Sequence, residues 1–249
     1  MSTIWITGAA GAIGSALARR LALKGHPLVL TGRDAASLQA LADTLDTRCL
    51  VLPGDLTEPG VAGTLREQAE AALGPVTGLA HCVGSALIKP LHLTTDADFD
   101  NVMRLNFHSA ASTLRAFVEG ARKHRQPSAA VLTGSLVATA GFPSHEGIAS
   151  AKAAVAALAM STAATYADKG IRVNCVNPGL VVSRLSARLT ETPEAIARSS
   201  KLNPMQRIGQ GDDVAAAMAY LLSDEAGWVT GQQLNVDGGQ ALLHPLPRA

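Results

Sequence analysis

Short apolar runs alternate along this chain with longer stretches whose apolar residues recur every three to four positions. The runs cover residues 3–7, 28–30, 49–52, 76–83, 129–133 and 171–176; the helical stretches cover 13–24, 35–45, 65–73, 99–123, 149–167 and 212–222. A strand that is apolar at every position has both faces covered. Strands of that kind separated by helices predict a parallel sheet sandwiched between helical layers. Gly25 follows the first helical stretch as a C-cap. The alternation runs on to Val236 without a linker, repeat or low-complexity segment, so residues 1–249 read as one doubly wound α/β domain. Residues 244–249, with two prolines, read as a loose tail or an interface strap.

Composition narrows the partners. Of the 249 residues 47% are hydrophobic and 16% charged, and 21 basic against 20 acidic residues leave a net charge of +1. That balance offers no field or basic stripe for nucleic acid, and none for an anionic membrane surface. Cys49, Cys82 and Cys175 form no CxxC pair, so neither a disulfide framework nor a metal site is expected, and a reducing, cytoplasmic compartment is. The first twenty residues break into glycines and then arginines, which reads as strand and turn rather than a signal peptide. No uninterrupted apolar run of about 18 residues predicts a membrane span.

The first run leads straight into Thr7-Gly8-Ala9-Ala10-Gly11-Ala12-Ile13-Gly14. Small residues let the backbone turn tightly there, so that its N–H groups and the following helix N-terminus can cradle a pyrophosphate. An NAD site usually has an acidic residue after the second strand, to hold the ribose 2′-hydroxyl. Here Gly32-Arg33 follows, leaving room and a cation for a 2′-phosphate, which predicts NADP(H).

With these motifs the sequence resembles the short-chain dehydrogenase/reductase family over essentially its whole length. Gly8, Ala10, Gly11, Ile13 and Gly14 match the family's nucleotide-binding turn; glycine is common where Ala12 stands, so Gly11 is expected to take that role. Asp55-Leu56 looks like the adenine-contacting site, and Gly84 ends His81-Cys82-Val83-Gly84 in the place of the usual Asn-Asn-Ala-Gly. Asn106 matches the catalytic-helix asparagine and Ser135 the catalytic serine. Pro178, Gly179, Val181 and Ser183 resemble the loop that holds the nicotinamide carboxamide, with Ser183 in the usual threonine position. The resemblance implies a Rossmann-like, seven-stranded parallel sheet in the order 3-2-1-4-5-6-7, and a homotetramer or homodimer.

The family's proton donor is a tyrosine four residues before a lysine. Lys152 matches that lysine, and Ile148, which cannot carry a proton, stands in the tyrosine position. Of the two tyrosines in the chain, Tyr166 lies roughly 20 Å further along the same helix at 1.5 Å per residue, and Tyr220 lies on an apolar face of the last helix; both are expected to pack. His145 is the expected replacement acid. It stands three residues before Ile148 and seven before Lys152, on a shared helical face or on the preceding loop at the cleft rim, and imidazole titrates near pH ~6.5. Glu146 would repel a developing oxyanion. His81 either faces the cofactor or, the better expectation, supports the strand end through a hydrogen bond.

Residues 182–204 are expected to form a substrate lid. Leu185, Leu189 and Ile196 are apolar; Arg184, Arg188, Arg198 and Lys201 are solvated cations or, for Arg184 and Arg188, partners for an anionic small-molecule substrate. The expected function is an NADP(H)-dependent oxidoreductase acting on a carbonyl or alcohol, with Asn106, Ser135, His145 and Lys152 as catalytic residues. The alternatives are enoyl or imine reduction, for which His145 has the enoyl spacing, and nucleotide binding with little turnover.

Overall fold

The computed structural model describes residues 2–243, so the tail expected at 244–249 lies outside the described residues. Strands β1 (Thr3–Thr7), β2 (Leu28–Thr31), β3 (Cys49–Val51), β4 (Val76–His81), β5 (Ser128–Thr133), β6 (Ile171–Pro178) and β7 (Gln233–Val236) form one sheet. All neighbours are parallel, in the order β3-β2-β1-β4-β5-β6-β7 that the resemblance implied.

β1, β2 and β4 are buried on both faces, as their pattern required, whereas the apolar run at 49–52 forms the edge strand β3 and is only partly buried. In β1, Ile4 and Ile6 point into one core and Trp5 into the other, the period of two that a strand imposes. The Trp5 indole N–H donates to Thr31 Oγ1 at 2.9 Å, so burying it leaves no donor unpaired. Helices α1 (Ala12–Ala22), α2 (Ala35–Ala42) and, late in the chain, α9 (Gly211–Leu222) cover the Ile6 face; α3 (Val61–Leu73), α5 (Ser109–His124) and α6 (Glu146–Tyr166) cover the Trp5 face. The remaining helices are α4 (Asp96–Met103), α7 (Ala187–Thr190) and α8 (Pro193–Lys201).

Boundaries moved where backbone chemistry overrides the apolar pattern. The single stretch expected over 99–123 is α4, a π-helical turn at Arg104–His108 and α5. A reciprocal capping box between Thr95 and Asp98 starts α4 before its first apolar residue. The stretch expected over 35–45 stops at Ala42, and α6 starts at Glu146 rather than 149. With its terminal turn, α6 spans Glu146–Lys169 and is long and apolar enough to cross a membrane. Its inner face, including Val155, Ala156, Ala159 and Ala163, is packed in the core.

Candidate active site

In open parallel sheets ligands bind beyond the carboxyl ends of the strands, where the order reverses. Here β1 and β4 pair to their ends at Thr7 and His81, and the turn after β1 lies against Cys82. Gly8 has φ +65°, and a Cβ there would meet Cys82 O at 2.7 Å; a Cβ on Gly14 would meet Gly8 O at 2.4 Å. Gly11 is the N-cap of α1, makes no side-chain cap hydrogen bond, and has no acid after it in the first turn. The turn therefore presents free backbone donors and a positive helix end, with Ala10 and Gly11 exposed. Ala12 is simply the first helical residue, so the shifted glycine spacing leaves the cradle intact. Ile13 packs half-buried behind it.

At the adenosine end, Arg33 is exposed just past β2. The neighbouring Asp34 accepts hydrogen bonds from the Ser37 hydroxyl and the Ala36 and Ser37 amides as the N-cap of α2. Its carboxyl is held below the usual range by Ser37 first, and also by the charge of Arg184. That acid caps its own helix. Asp55 is likewise held low, chiefly by the amide and hydroxyl of Thr57, with Arg33 and Arg104 adding their charge. Leu56 is buried beside it, its carbonyl taken by Ser112 Oγ at 3.1 Å.

The chemical end is built from β4, β5 and α6. Gly134 precedes Ser135, and a Cβ on it would lie 2.0 Å from Asn177 Oδ1, so only glycine lets the chain leave β5 here. Ser135 Oγ accepts from Val137 N at 3.3 Å as the cap of a short 3-10 turn, which leaves its O–H free to donate. Lys152 is buried on α6. Its Nζ donates to Thr133 O at 2.9 Å and lies 3.0 Å from where a Gly84 Cβ would be. Burial pulls its pKa down to about 8. The same Gly84 position approaches Asn106 Oδ1 at 2.8 Å, so glycine is required where the lysine and asparagine converge.

Asn106 sits fully buried in the π-helical turn. Its Oδ1 accepts from Ser85 N at 3.0 Å, and its Nδ2 donates to Ser85 Oγ and Val102 O at 2.9 Å each. The side chain thus ties the strand-end loop to the helix. Ser85 and the Thr133 carbonyl carried no signal in the sequence, the first because serine is common in loops, the second because it acts through its backbone.

Ile148 is 5% exposed and packs in a small apolar cluster with Val102, Ala151, Leu87, Met103 and Val137. His145 is the residue before α6 rather than a member of its first turn, so the shared-face expectation gives way to the loop position. Ser144, before it, turns left-handed at φ +63°. His145 Nδ1 lies 2.7 Å from Pro143 O; a carbonyl only accepts, so Nδ1 carries the proton and Nε2 is left open. Its ring meets Phe142 edge-on at 6.0 Å.

His81 is buried between Thr7 Oγ1 at 2.9 Å and Ser109 Oγ at 3.3 Å, and burial lowers its pKa to about 3. It supports the strand end, as the better expectation held. Burial raises the thiols of Cys82 and Cys175 to about 12 and about 11, so both are inert neighbours of Lys152. Tyr166 packs at the end of α6 under the Arg122 guanidinium. Tyr220 departs from the expectation of a packing residue: it is 41% exposed, because the apolar stripe of α9 turns Val214, Ala215, Met218 and Leu221 inward instead.

Beyond β6, a Cβ on Gly179 would meet Asp237 Cα at 2.8 Å, which fixes the Pro178-Gly179 loop against the chain after β7. Val181 bridges to Gly209. Ser183 caps the next turn in a reciprocal pair with Ser186, and the exposed Arg184 adds its charge to Asp34.

A family model described as "Enoyl-(Acyl carrier protein) reductase" matches residues 8–241. The chain is 33% identical to "Nodulation protein G" of Rhizobium sp. (strain N33), over 96% of each chain. It is 32% identical to "Inactive 2-(S)-hydroxypropyl-CoM dehydrogenase 2" of Xanthobacter autotrophicus, over 91% of this chain and all of that one. A short-chain type dehydrogenase/reductase from Mycobacterium ulcerans superposes with a TM-score of 0.91 at 27% identity, covering 97% of this chain and 90% of that one. With a glycine turn, a serine and a buried lysine on one sheet edge, and relatives that match nearly end to end, the chain belongs to the short-chain dehydrogenase/reductase family of nicotinamide-dependent oxidoreductases.

Proposed function

We propose that this protein is an NADP(H)-dependent oxidoreductase that moves hydride between the nicotinamide and a carbonyl or alcohol substrate, using a proton donor other than tyrosine. The observation that carries the reading is the convergence of Lys152 and Asn106 on Gly84, beside a Ser135 whose hydroxyl proton is free. Burying the Lys152 ammonium costs stability, which favours a role for it beyond packing.

The residues fit the cofactor. Gly8, Ala10, Gly11, Ile13 and Gly14 would cradle its pyrophosphate and Arg33 its 2′-phosphate. Asp55 and Leu56 would meet the adenine, Gly84 and Lys152 the nicotinamide ribose, and Pro178, Gly179, Val181 and Ser183 the carboxamide. When bound, the cofactor supplies the hydride. Ser135 Oγ–H donates to the substrate oxygen as it gains charge. His145, held by Pro143 O at Nδ1, delivers a proton from Nε2 in its imidazolium form. Ile148, with the apolar cluster around it, keeps water out of the floor. Residues 182–204, short helices rising from the end of β6, cover the substrate.

The test is NADPH oxidation with ketones, aldehydes, enones and imines over about pH 5 to 9. Ser135→Ala and His145→Ala should each lower kcat by about 10²–10⁴-fold, the usual worth of such groups. The enones belong in the panel because His145 stands seven residues before Lys152, and the matching family model carries an enoyl reductase description. Tight NADPH binding without turnover on any substrate would reject the reductase and leave a nucleotide-binding protein.

A further inference from the structure

Lys152 is buried without a counter-ion. It is 6% exposed, and among the described residues its ammonium makes one hydrogen bond, from Nζ to Thr133 O at 2.9 Å, and no ion pair. The titratable groups that face it come from two strands: His81 ends β4 and Cys82 follows it, and Cys175 lies on β6. Burial lowers the imidazole pKa to about 3 and raises the two thiols to about 12 and about 11, so none of them gives the ammonium a negative partner near pH 8. One carbonyl dipole therefore holds a whole cation, and losing the only acceptor of a buried charge is costly.

That carbonyl is fixed from both sides of β5. Toward β6, Thr133 pairs with Val176, and Gly134 N donates to Val176 O at 2.8 Å. Toward β4, the paired residues end at His81 and Leu132, one short of Thr133. There the side chain takes over: Thr133 Oγ1 donates to His81 O at 2.7 Å. The His81 ring is in turn held by Thr7 on β1 and Ser109 on α5. Valine has nearly the shape of threonine and suits a strand end as well, so packing alone does not call for this hydroxyl. A single side chain thus ties the last residue of β5 to the strand that leads to Gly84. It does so where the backbone carbonyl takes Lys152 and two residues before Ser135.

We propose that Thr133 is a positioning residue for the reaction: its hydroxyl, anchored on His81 O, holds its own carbonyl in the place from which it fixes the Lys152 ammonium beside Gly84. This rests on the oxidoreductase reading for what Lys152 does, but the hold on the ammonium can be followed through cofactor binding, without turnover.

Thr133→Val removes the hydroxyl and keeps the shape, whereas Thr133→Ser keeps the hydroxyl. Both are compared with the wild type and with Lys152→Met by melting curves, by the Kd of NADPH from about pH 7 to 10, and by kcat and KM on the best ketone of the panel. Wild-type affinity for NADPH should fall as pH rises through about 8 and the ammonium is lost, and Lys152→Met should lack that limb. A carbonyl no longer held in place favours the charged form less, so in Thr133→Val the limb should move about half a pH unit lower or more. Its kcat should fall about tenfold or more while KM stays within about threefold, as expected for a misplaced catalytic group. Thr133→Ser should remain close to the wild type in every readout. A folded Thr133→Val with the wild-type limb and kcat would overturn the proposal and leave the reductase standing, and so would a serine variant as impaired as the valine one. A displaced binding limb in a protein that turns over no substrate would uphold the proposal and sink the reductase reading. Wild-type affinity that does not change with pH would also overturn it, because the ammonium held by Thr133 would then not meet the cofactor. Should the valine variant melt too early to assay, Thr133→Ala carries the same expectations.

Discussion

At the scale of single residues, the position of Ile148 decides what this protein can do. An isoleucine at 5% exposure closes the site with hydrocarbon where the family has a hydroxyl, while Lys152 and Ser135 keep their places. Ile148→Tyr should therefore raise reductive kcat by at least about tenfold, toward the 10²–10⁴-fold worth of a general acid. It should also cost about 1–3 kcal/mol of stability through overpacking against Leu87 and Met103. Steady-state kinetics with a melting curve would check both halves, and an unchanged kcat in a folded variant would count against the site assignment. Lys152 gives a second prediction. Burial lowers its pKa to about 8, so the ammonium is lost as pH rises through that value. Reduction should decline above about pH 8, and Lys152→Met should abolish that limb along with most of the rate. For NADP(H), Arg33→Ala should weaken NADPH binding by about 10–100-fold, losing a charge-assisted contact worth about 1.5–3 kcal/mol, and leave NADH nearly unchanged by calorimetry.

At the scale of elements, the active site depends on irregularities rather than on ideal helices. The π-helical turn at Arg104–His108 carries Asn106, whose two hydrogen bonds with Ser85 and one to Val102 O tie the loop after Gly84 to the helix. Asn106→Ala should cost about 1–3 kcal/mol, as expected when buried polar groups lose their partner. For a chain of this size that lowers Tm by about 2–4 °C per kcal/mol. Activity should fall further than stability, since the loop bearing Gly84 is released. α1 and α9 make another close contact: a Cβ on Gly211 would lie 2.3 Å from Ala12 O, at the N-terminal end of α1. Both helix starts are thus set by glycine against the same turn.

At the scale of the whole molecule, the sheet is a buried scaffold whose polar insertions make its stability depend on pH. His81 lies between β1 and α5 with its pKa lowered to about 3 by burial, against 6.5 in an unfolded chain. A depressed folded pKa means the unfolded state binds the proton first. The stability associated with neutral His81 is full above about pH 6.5 and is lost as pH falls toward about 3, at up to about 1.4 kcal/mol per pH unit. Urea titrations from pH 7 to 4 should show that slope, and His81→Asn, which cannot titrate, should flatten it. An equal slope in both proteins would place the acid sensitivity elsewhere.

The sequence by itself determined the layering, the single domain and most strand positions, because a short strand with an unbroken apolar centre, such as Ile4-Trp5-Ile6, puts apolar residues on both faces and lies inside a covered parallel sheet. It also determined the glycine turn and the exposed Arg33, since both depend on local backbone chemistry. It could not show that Asn106 lies in a π-helical turn, because an apolar period cannot register one extra residue within a helix, nor that His145 stops short of α6. It had no signal for Ser85 or the Thr133 carbonyl. Those were decided by tertiary structure, where residues far apart in sequence converge on Gly84 and where burial, a property of the whole fold, sets how firmly Lys152 holds its proton.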